Sequence, residues 1–187
     1  ELLSAEDSGN EMFEVLQGSA DSLMKVIENA TVLSKLSIGE NITKEDLDLV
    51  PILREIESEF ASQLSTASMT MNVDLPDSLI VQANPIISEI PKNYISNAIK
   101  YSSASGSINV TLQKTDEKVI LRVEDSGEPI PVELREAVFE RNVQLAEGKK
   151  RGRGLGLAIV KRIATAHEAI VGIEDSPQGG NSFFLKF

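Results

Sequence analysis

The stretch SINVTLQKTDEKVILRVEDSG (107–127) constrains the fold more than any other part of the chain. Ile108, Val110 and Leu112 alternate with polar residues, as do Val119, Leu121 and Val123, and Thr115–Lys118 form the turn between them. A period of two sets one side of each strand against a core and the other toward water. AIVGIED and SFFLKF repeat the pattern around SPQGG, so two antiparallel hairpins are expected. Helical segments precede and separate them. That mixture predicts an α/β (α+β) domain whose sheet is covered on one face by helices.

Before this domain, residues 8–38 predict one long helix. Ser8 and Glu11 match a capping box. Phe13, Leu16, Ala20, Leu23, Ile27 and Ala30 follow at alternating steps of three and four, the seam of a coiled coil or bundle. SIGENITKED is a polar connector, which predicts a helical segment at 1–38, a linker at 39–46 and a globular domain at 47–187. Within the domain, LDLVP predicts a short strand, with Pro51 at the first position of a helix buried through Ile52, Ile56, Phe60 and Leu64. Met69, Met71, Val73 and Leu75 alternate as a half-buried strand. Asn84-Pro85 reads as an N-cap and first-position proline opening a further helix. After Pro131 a short helix turns Leu134 and Val138 inward.

Composition narrows the functional classes. The net charge is −11, which argues against nucleic-acid binding through clustered cations. With no cysteine, thiol catalysis, disulfides and Cys-based zinc sites are excluded. No apolar run approaches the ~20 residues of a membrane span and no signal peptide is evident, so a cytoplasmic protein without membrane contact is expected. A first residue Glu1 rather than methionine is what a piece of a longer protein would show.

Three motifs could carry chemistry. In EIPKNYISNAIKYS, Asn93, Asn97, Lys100 and Tyr101 share one helix face. Asparagine is a mediocre helix former, so this polar row is either plain surface or a binding wall. Asn97 offers an amide oxygen suited to a hard cation such as Mg²⁺, and Lys100 offers a charge for phosphates. In VEDSGEPIP, Asp125 ends an inward-facing strand. It is either part of an ordinary turn or a carboxylate that accepts a hydrogen bond from an exocyclic amino group. Such a bond contributes roughly 1.5–3 kcal/mol, about ten- to a hundredfold in affinity, and selects adenine over guanine. In RGRGLGL, Gly152, Gly154 and Gly156 open the backbone to a ligand just before a helix N-terminus, beside Lys149, Lys150, Arg151 and Arg153. A dinucleotide fingerprint would need a buried strand before the loop, and ERNVQLAEGKKR is too polar for one.

NYISNAIKYS, DSGEPIP, VFER, GRGLGLAIVKRI and GGNSFF, in this order, resemble the N, G1, F, G2 and G3 boxes of the GHKL ATPases. They are most similar to the catalytic domain of sensor histidine kinases, over about residues 45–187. Residues 8–38 likewise resemble the second helix of the dimerisation and histidine-phosphotransfer hairpin. The resemblance implies a two-layer α/β sandwich that binds ATP or ADP beneath a lid at about 140–153. It implies Mg²⁺ on Asn97 with Asn93 beside it, and Lys100 and Tyr101 toward phosphates and nucleotide. It further implies adenine on Asp125 supported by Gly127 and Ile130, and phosphates held by Gly152, Arg153, Gly154, Leu155, Gly156 and Leu157. Ser182 is implied from the last box. Transfer to a histidine, a homodimer through residues 8–38 and a response-regulator receiver domain as partner follow as expectations. Asn93 stands where hydrolytic relatives carry a glutamate base, and an amide cannot take that proton at neutral pH.

The pattern breaks in three places. Pro129 stands where a second glycine is usual, fixing φ and removing an N–H. Pro91 is expected to kink the asparagine helix. The one histidine, His167, sits near the end of the helix after the glycine loop, so the acceptor is expected upstream of Glu1. A nucleotide-responsive module without transfer, a hydrolytic GHKL ATPase and a coiled-coil interaction protein are the alternative readings.

Overall fold

A computed structural model describes residues 20, 23–24, 27, 30–31, 34, 42–102, 105–115, 118–140 and 155–187. The chain divides into two compact units, Glu1–Ile38 and Gly39–Phe187. In the first, Ala20, Leu23, Met24, Ile27, Ala30, Thr31 and Ser34 are helical and exposed. The expected capping box at Ser8 and the seam residues Phe13 and Leu16 lie outside the described residues.

The second unit opens with β1 (Glu45–Asp48), α1 (Leu49–Thr66), β2 (Thr70–Asp74) and β3 (Ile80–Ala83). A 3₁₀ turn (Pro85–Ser88) leads into α2 (Glu89–Tyr101), followed by β4 (Ser107–Lys114) and β5 (Val119–Glu124). Two further 3₁₀ turns, Val132–Leu134 and Ala137–Phe139, precede α3 (Gly156–Ala166), β6 (Ile170–Asp175) and β7 (Asn181–Lys186). The five-stranded sheet has the order β2-β4-β5-β7-β6. Only the β2–β4 pairing is parallel, so the sheet is mixed. β1 and β3 form a separate antiparallel pair.

One side of the sheet is the core. Ile108, Val110, Leu112, Leu121, Val123, Phe183 and Leu185 alternate onto that side and are buried, as are Leu53, Ile56 and Phe60 of α1, Ile90, Tyr94 and Ile95 of α2, and Ile159, Val160 and Ile163 of α3. Apolar residues spaced to one helix face and alternating along strands leave no other compact arrangement. Tyr94 is fully buried, its ring 5.1 Å from that of Phe183 and its hydroxyl donating to the Phe184 carbonyl at 3.1 Å. Burial pushes the phenol far above its usual pKa, so it remains a donor. On the other side of the sheet, Arg122 pairs with Glu174 at 2.6 Å and lies over the Phe184 ring.

Both hairpins form as the alternation predicts, with Thr115 N donating to Lys118 O at 2.8 Å to close the first. Several local expectations shift. α1 begins at Leu49, two places before Pro51, because Asp48 caps it by accepting from Val50 N at 3.0 Å. Pro51 still sits in the first turn, where no intrahelical N–H is needed. β1 starts at Glu45, inside the expected linker. Asn84 does cap its segment, but the turn it opens is 3₁₀ and α2 starts only at Glu89. Pro91 therefore falls in the first turn of α2 and forfeits no bond within it, so its position gives no reason for the kink expected there. Leu134 is half-buried, and Phe139 joins Val138 in the core.

Removing the Tyr94 hydroxyl tests the link between helix layer and sheet. Tyr94→Phe should cost about 1 kcal/mol in urea denaturation, while Tyr94→Ala should cost about 3–5 kcal/mol. Equal effects would show that the hydrogen bond, not the ring, carries the packing.

Candidate functional site

Asp125 follows β5 directly, and the ladder to β7 continues through it, Asp125 N donating to Asn181 O at 2.9 Å. Strand alternation puts its side chain on the helix side, where it is 4% exposed. Three N–H groups converge on one oxygen. Gly127 N reaches Oδ1 at 2.8 Å, Asn181 N at 3.2 Å and Asn181 Nδ2 at 3.3 Å. Among the described residues no donor reaches Oδ2. Burial raises the carboxyl's pKa, and the bonds from Gly127 and Asn181 oppose that rise. A desolvated carboxylate with one oxygen that no described residue bonds is an acceptor for a ligand N–H.

The turn around Asp125 leaves no room for other residues. A Cβ built on Gly180 would lie 2.3 Å from Asp125 O and 2.7 Å from both Asp125 Oδ1 and Gly127 N. Two of those atoms are backbone and cannot yield. A Cβ on Gly127 would meet Tyr101 O at 3.3 Å and Ser102 Cα at 3.4 Å, so the end of α2 lies against the same turn. At its other end α2 touches α3: a Cβ on Gly156 would fall 2.6 Å from Asn93 Oδ1. Two of the expected walls thus meet along α2, the Asp125 turn at its end and the start of α3 beside Asn93.

Along the asparagine row exposure increases from the buried Asn93, through the half-buried Asn97 and Lys100, to Tyr101 at 40%. Asn93 Nδ2 donates to Glu89 O at 2.8 Å, one turn back, which leaves its oxygen facing α3. The Lys100 ammonium stands 4.9 Å from the centre of the Tyr101 ring. Leu155 and Leu157 are half-buried around the first turn of α3, whose leading N–H groups and positive dipole end suit an anion. Gly152, Arg153 and Gly154, with the neighbouring cations and the expected lid, lie outside the described residues.

Ser182 is not brought to this cluster. It pairs with Glu124, one residue out of step with Asp125, and so points to the far side of the sheet, 3.4 Å from both Glu124 Oε1 and an Arg122 guanidinium nitrogen. Its neighbour Asn181 takes the place beside Asp125. Besides its bonds to Asp125, Asn181 Oδ1 accepts from Ile130 N at 2.7 Å and Nδ2 donates to Glu128 O at 3.0 Å. The signal lay in GGNSFF. Counting back from Phe183, an inward residue, makes Asn181 inward and Ser182 outward.

His167 is buried at the end of α3. Its Nδ1 lies 2.8 Å from Ile163 O, and its Nε2 accepts from Asn84 N at 3.0 Å. A carbonyl can only accept and a backbone N–H can only donate, so the ring is neutral with its proton on Nδ1. Lys44 binds the His167 carbonyl at 3.2 Å and Glu168 at 2.7 Å. Both ring nitrogens are engaged in structure rather than presented to a substrate.

Residues 84–187 match the family described as histidine kinase-, DNA gyrase B-, and HSP90-like ATPase. The sensor histidine kinase TmoS of Ectopseudomonas mendocina is 33% identical over 93% of this chain and 18% of its own length. The adaptive-response sensory kinase SasA of a Synechocystis strain is 29% identical over 85% of this chain and 43% of its own. This chain therefore spans less than half the length of these curated relatives. Among solved structures, the catalytic domain of histidine kinase ThkA is similar with a TM-score of 0.69 at 26% identity, over 78% of this chain and 95% of that one.

Burial holds the His167 pKa below the usual 6.5, so the folded state favours the neutral ring. Its stabilising contribution is complete above that value and is lost as pH falls toward the lowered one. Urea denaturation at about pH 7.5 and about pH 5.5 should show a weaker domain at the lower pH, and His167→Gln should reduce that difference. A pH response unchanged in the variant would remove His167 as its source.

Proposed function

The chain belongs to the histidine kinase-, DNA gyrase B- and HSP90-like ATPase family, and from that premise we propose that it is the ATP-binding catalytic region of a cytoplasmic two-component sensor histidine kinase. The observation that carries the reading is Asp125, a buried carboxylate with three N–H groups on one oxygen and the end of α2 packed over its turn. In this reading Asp125 accepts the exocyclic amino group of adenine, with Gly127 and Ile130 lining the base. Lys100 and Tyr101 approach the phosphates and nucleotide. Gly152, Arg153, Gly154, Leu155, Gly156 and Leu157 hold the phosphates against the α3 N-terminus.

Among the described residues no group of three His, Asp or Glu could hold a metal alone, but the half-buried amide of Asn97 suits a hard cation already ligated by phosphates. Asn97, with Asn93 beside it, would hold the ion, and a bound Mg²⁺ supplies charge neutralisation at the phosphates. Asn93 is a neutral amide tied back to Glu89 O, which supports transfer to a protein rather than general-base hydrolysis. In that transfer the bond between the γ-phosphorus and the β–γ bridging oxygen breaks, a phosphorus–nitrogen bond to an imidazole forms, and ADP leaves. The engagement of both His167 nitrogens supports an acceptor histidine outside these residues. A response-regulator aspartate would take the phosphoryl group next. Among the described residues no helix is long and apolar enough to cross a membrane.

Calorimetry tests the site. The wild type should bind Mg-ATP and Mg-ADP and reject GTP, with Asp125→Asn losing about ten- to a hundredfold in ATP affinity. Equal affinity for ATP and GTP would sink the adenine assignment. Asn97→Ala should weaken binding chiefly when Mg²⁺ is present, and the same loss in EDTA would remove Asn97 as a metal ligand.

We also propose a homodimer through residues 8–38. Leu23 and Ile27 are 61% and 65% exposed on helical backbone, a stripe that favours burial against a partner helix. Sedimentation of the wild type should show self-association that Leu23→Asp with Ile27→Asp abolishes, while ATP affinity persists. A wild type that stays monomeric at high concentration would refute the dimer helix.

A further inference from the structure

Pro129 raises a problem that the structure answers in an unexpected way. The segment Glu128-Pro129-Ile130 adjoins the Asp125 turn, and proline denies it both backbone freedom and an N–H. In a γ-turn the carbonyl before the central residue would bond the N–H after it. Here the Asn181 amide is inserted between those two groups instead. Nδ2 donates to Glu128 O at 3.0 Å, and Oδ1 accepts from Ile130 N at 2.7 Å. These partners fix the amide's orientation, because a carbonyl requires the nitrogen and an N–H requires the oxygen. The second Nδ2 proton is directed to Asp125 Oδ1 at 3.3 Å, where the Asn181 backbone N–H also arrives at 3.2 Å.

Among the described residues, Asn181 is thus the side chain that hydrogen-bonds both the proline loop and the carboxylate. It is itself buried, at 5% exposure, and its amide has every hydrogen-bonding group engaged. The far side of the loop is held separately, Arg135 Nε donating to Ile130 O at 3.0 Å and its guanidinium pairing with Asp175. Ile130 is therefore held at both its N–H and its carbonyl.

We propose that Asn181 is a positioning residue for base recognition, tying the loop around Pro129 to Asp125 so that Oδ2 is fixed for an amino donor before nucleotide binds. The proposal rests on the reading of Asp125 as the adenine acceptor. Pro129 and Asn181 act together: proline limits the loop's conformations and the amide selects among them.

The test compares ADP with IDP, whose base carries a carbonyl where adenine carries the amino group. Calorimetry on the full chain should show that Asn181→Ala loses about tenfold in ADP affinity while IDP affinity changes by less than about twofold, so that discrimination collapses. Parallel losses for both nucleotides, or an unchanged ratio, would overturn the proposal, since a merely structural amide predicts one or the other. Asp125→Asn is measured beside it. If that variant keeps the wild-type ratio, the adenine reading itself fails, whatever Asn181 does. Should Asn181→Ala not fold, amide hydrogen exchange on the nucleotide-free wild type decides. Slowed exchange at Ile130 supports the clamp, and exchange at the unprotected rate refutes it.

Discussion

The pairing of β5 with β7 is the constraint on which the rest of the domain depends. Val123 opposite Phe183 and Leu121 opposite Leu185 build the centre of the core, and Tyr94 then anchors the helix layer to β7 by ring and hydroxyl. The same register decides the chemistry one step further on. Where regular pairing ends at Glu124 and Ser182, the next inward positions are Asp125 and Asn181, and Gly180 is the only residue type that allows the strands to approach so closely there. A slip of one residue would turn both polar groups to the other face of the sheet.

The site also stands out by charge. Among the described residues the buried polar side chains are Asn93, Ser102, Asp125, His167, Ser176, Asn181 and Ser182, and Asp125 alone is an acid. His167 is held neutral by the donor and acceptor it meets. Burying a carboxylate is unfavourable unless it is hydrogen-bonded, and the N–H groups on Oδ1 offset part of that cost. Among the described residues the interior is otherwise uncharged, and its one buried acid stands at the end of β5.

Much of this was legible in the sequence because strong local patterns met no competition. The alternation in 107–124 and 170–186 gave both hairpins, and the spacing of Ile56, Phe60 and Leu64 gave the buried face of α1. β3 escaped because four residues, IVQA, offer too short an alternation to stand apart from their surroundings. Its partner β1 is legible only from Leu47, where LDLVP predicts a short strand, because Glu45 and Asp46 look like connector residues; the strand holds by pairing with β3 and by Asp48, which also binds Leu79 N and Ser78 Oγ. The boundary at Pro51 moved because a side-chain cap outweighed the proline signal. The site was partly legible for a related reason. Motifs name a neighbourhood, but which of two adjacent residues faces inward depends on strand parity, and so Asn181 rather than Ser182 stands beside Asp125.

The strand order has a consequence for how the domain is made. β7 is the last strand in sequence yet lies inside the sheet, between β5 and β6, while the outer β2 is among the first. A nascent chain that has released everything through β6 holds the β2-β4-β5 block and a lone β6 with no strand to join them, and the Asp125 turn has neither Gly180 nor Asn181 to close on. Assembly cannot follow the order of synthesis. Such non-local pairing is slow relative to local contacts, so the partly made domain exposes unpaired strand edges until β7 arrives. The nucleotide site and the middle of the sheet are completed by the same late event, so a chain stalled before it has neither.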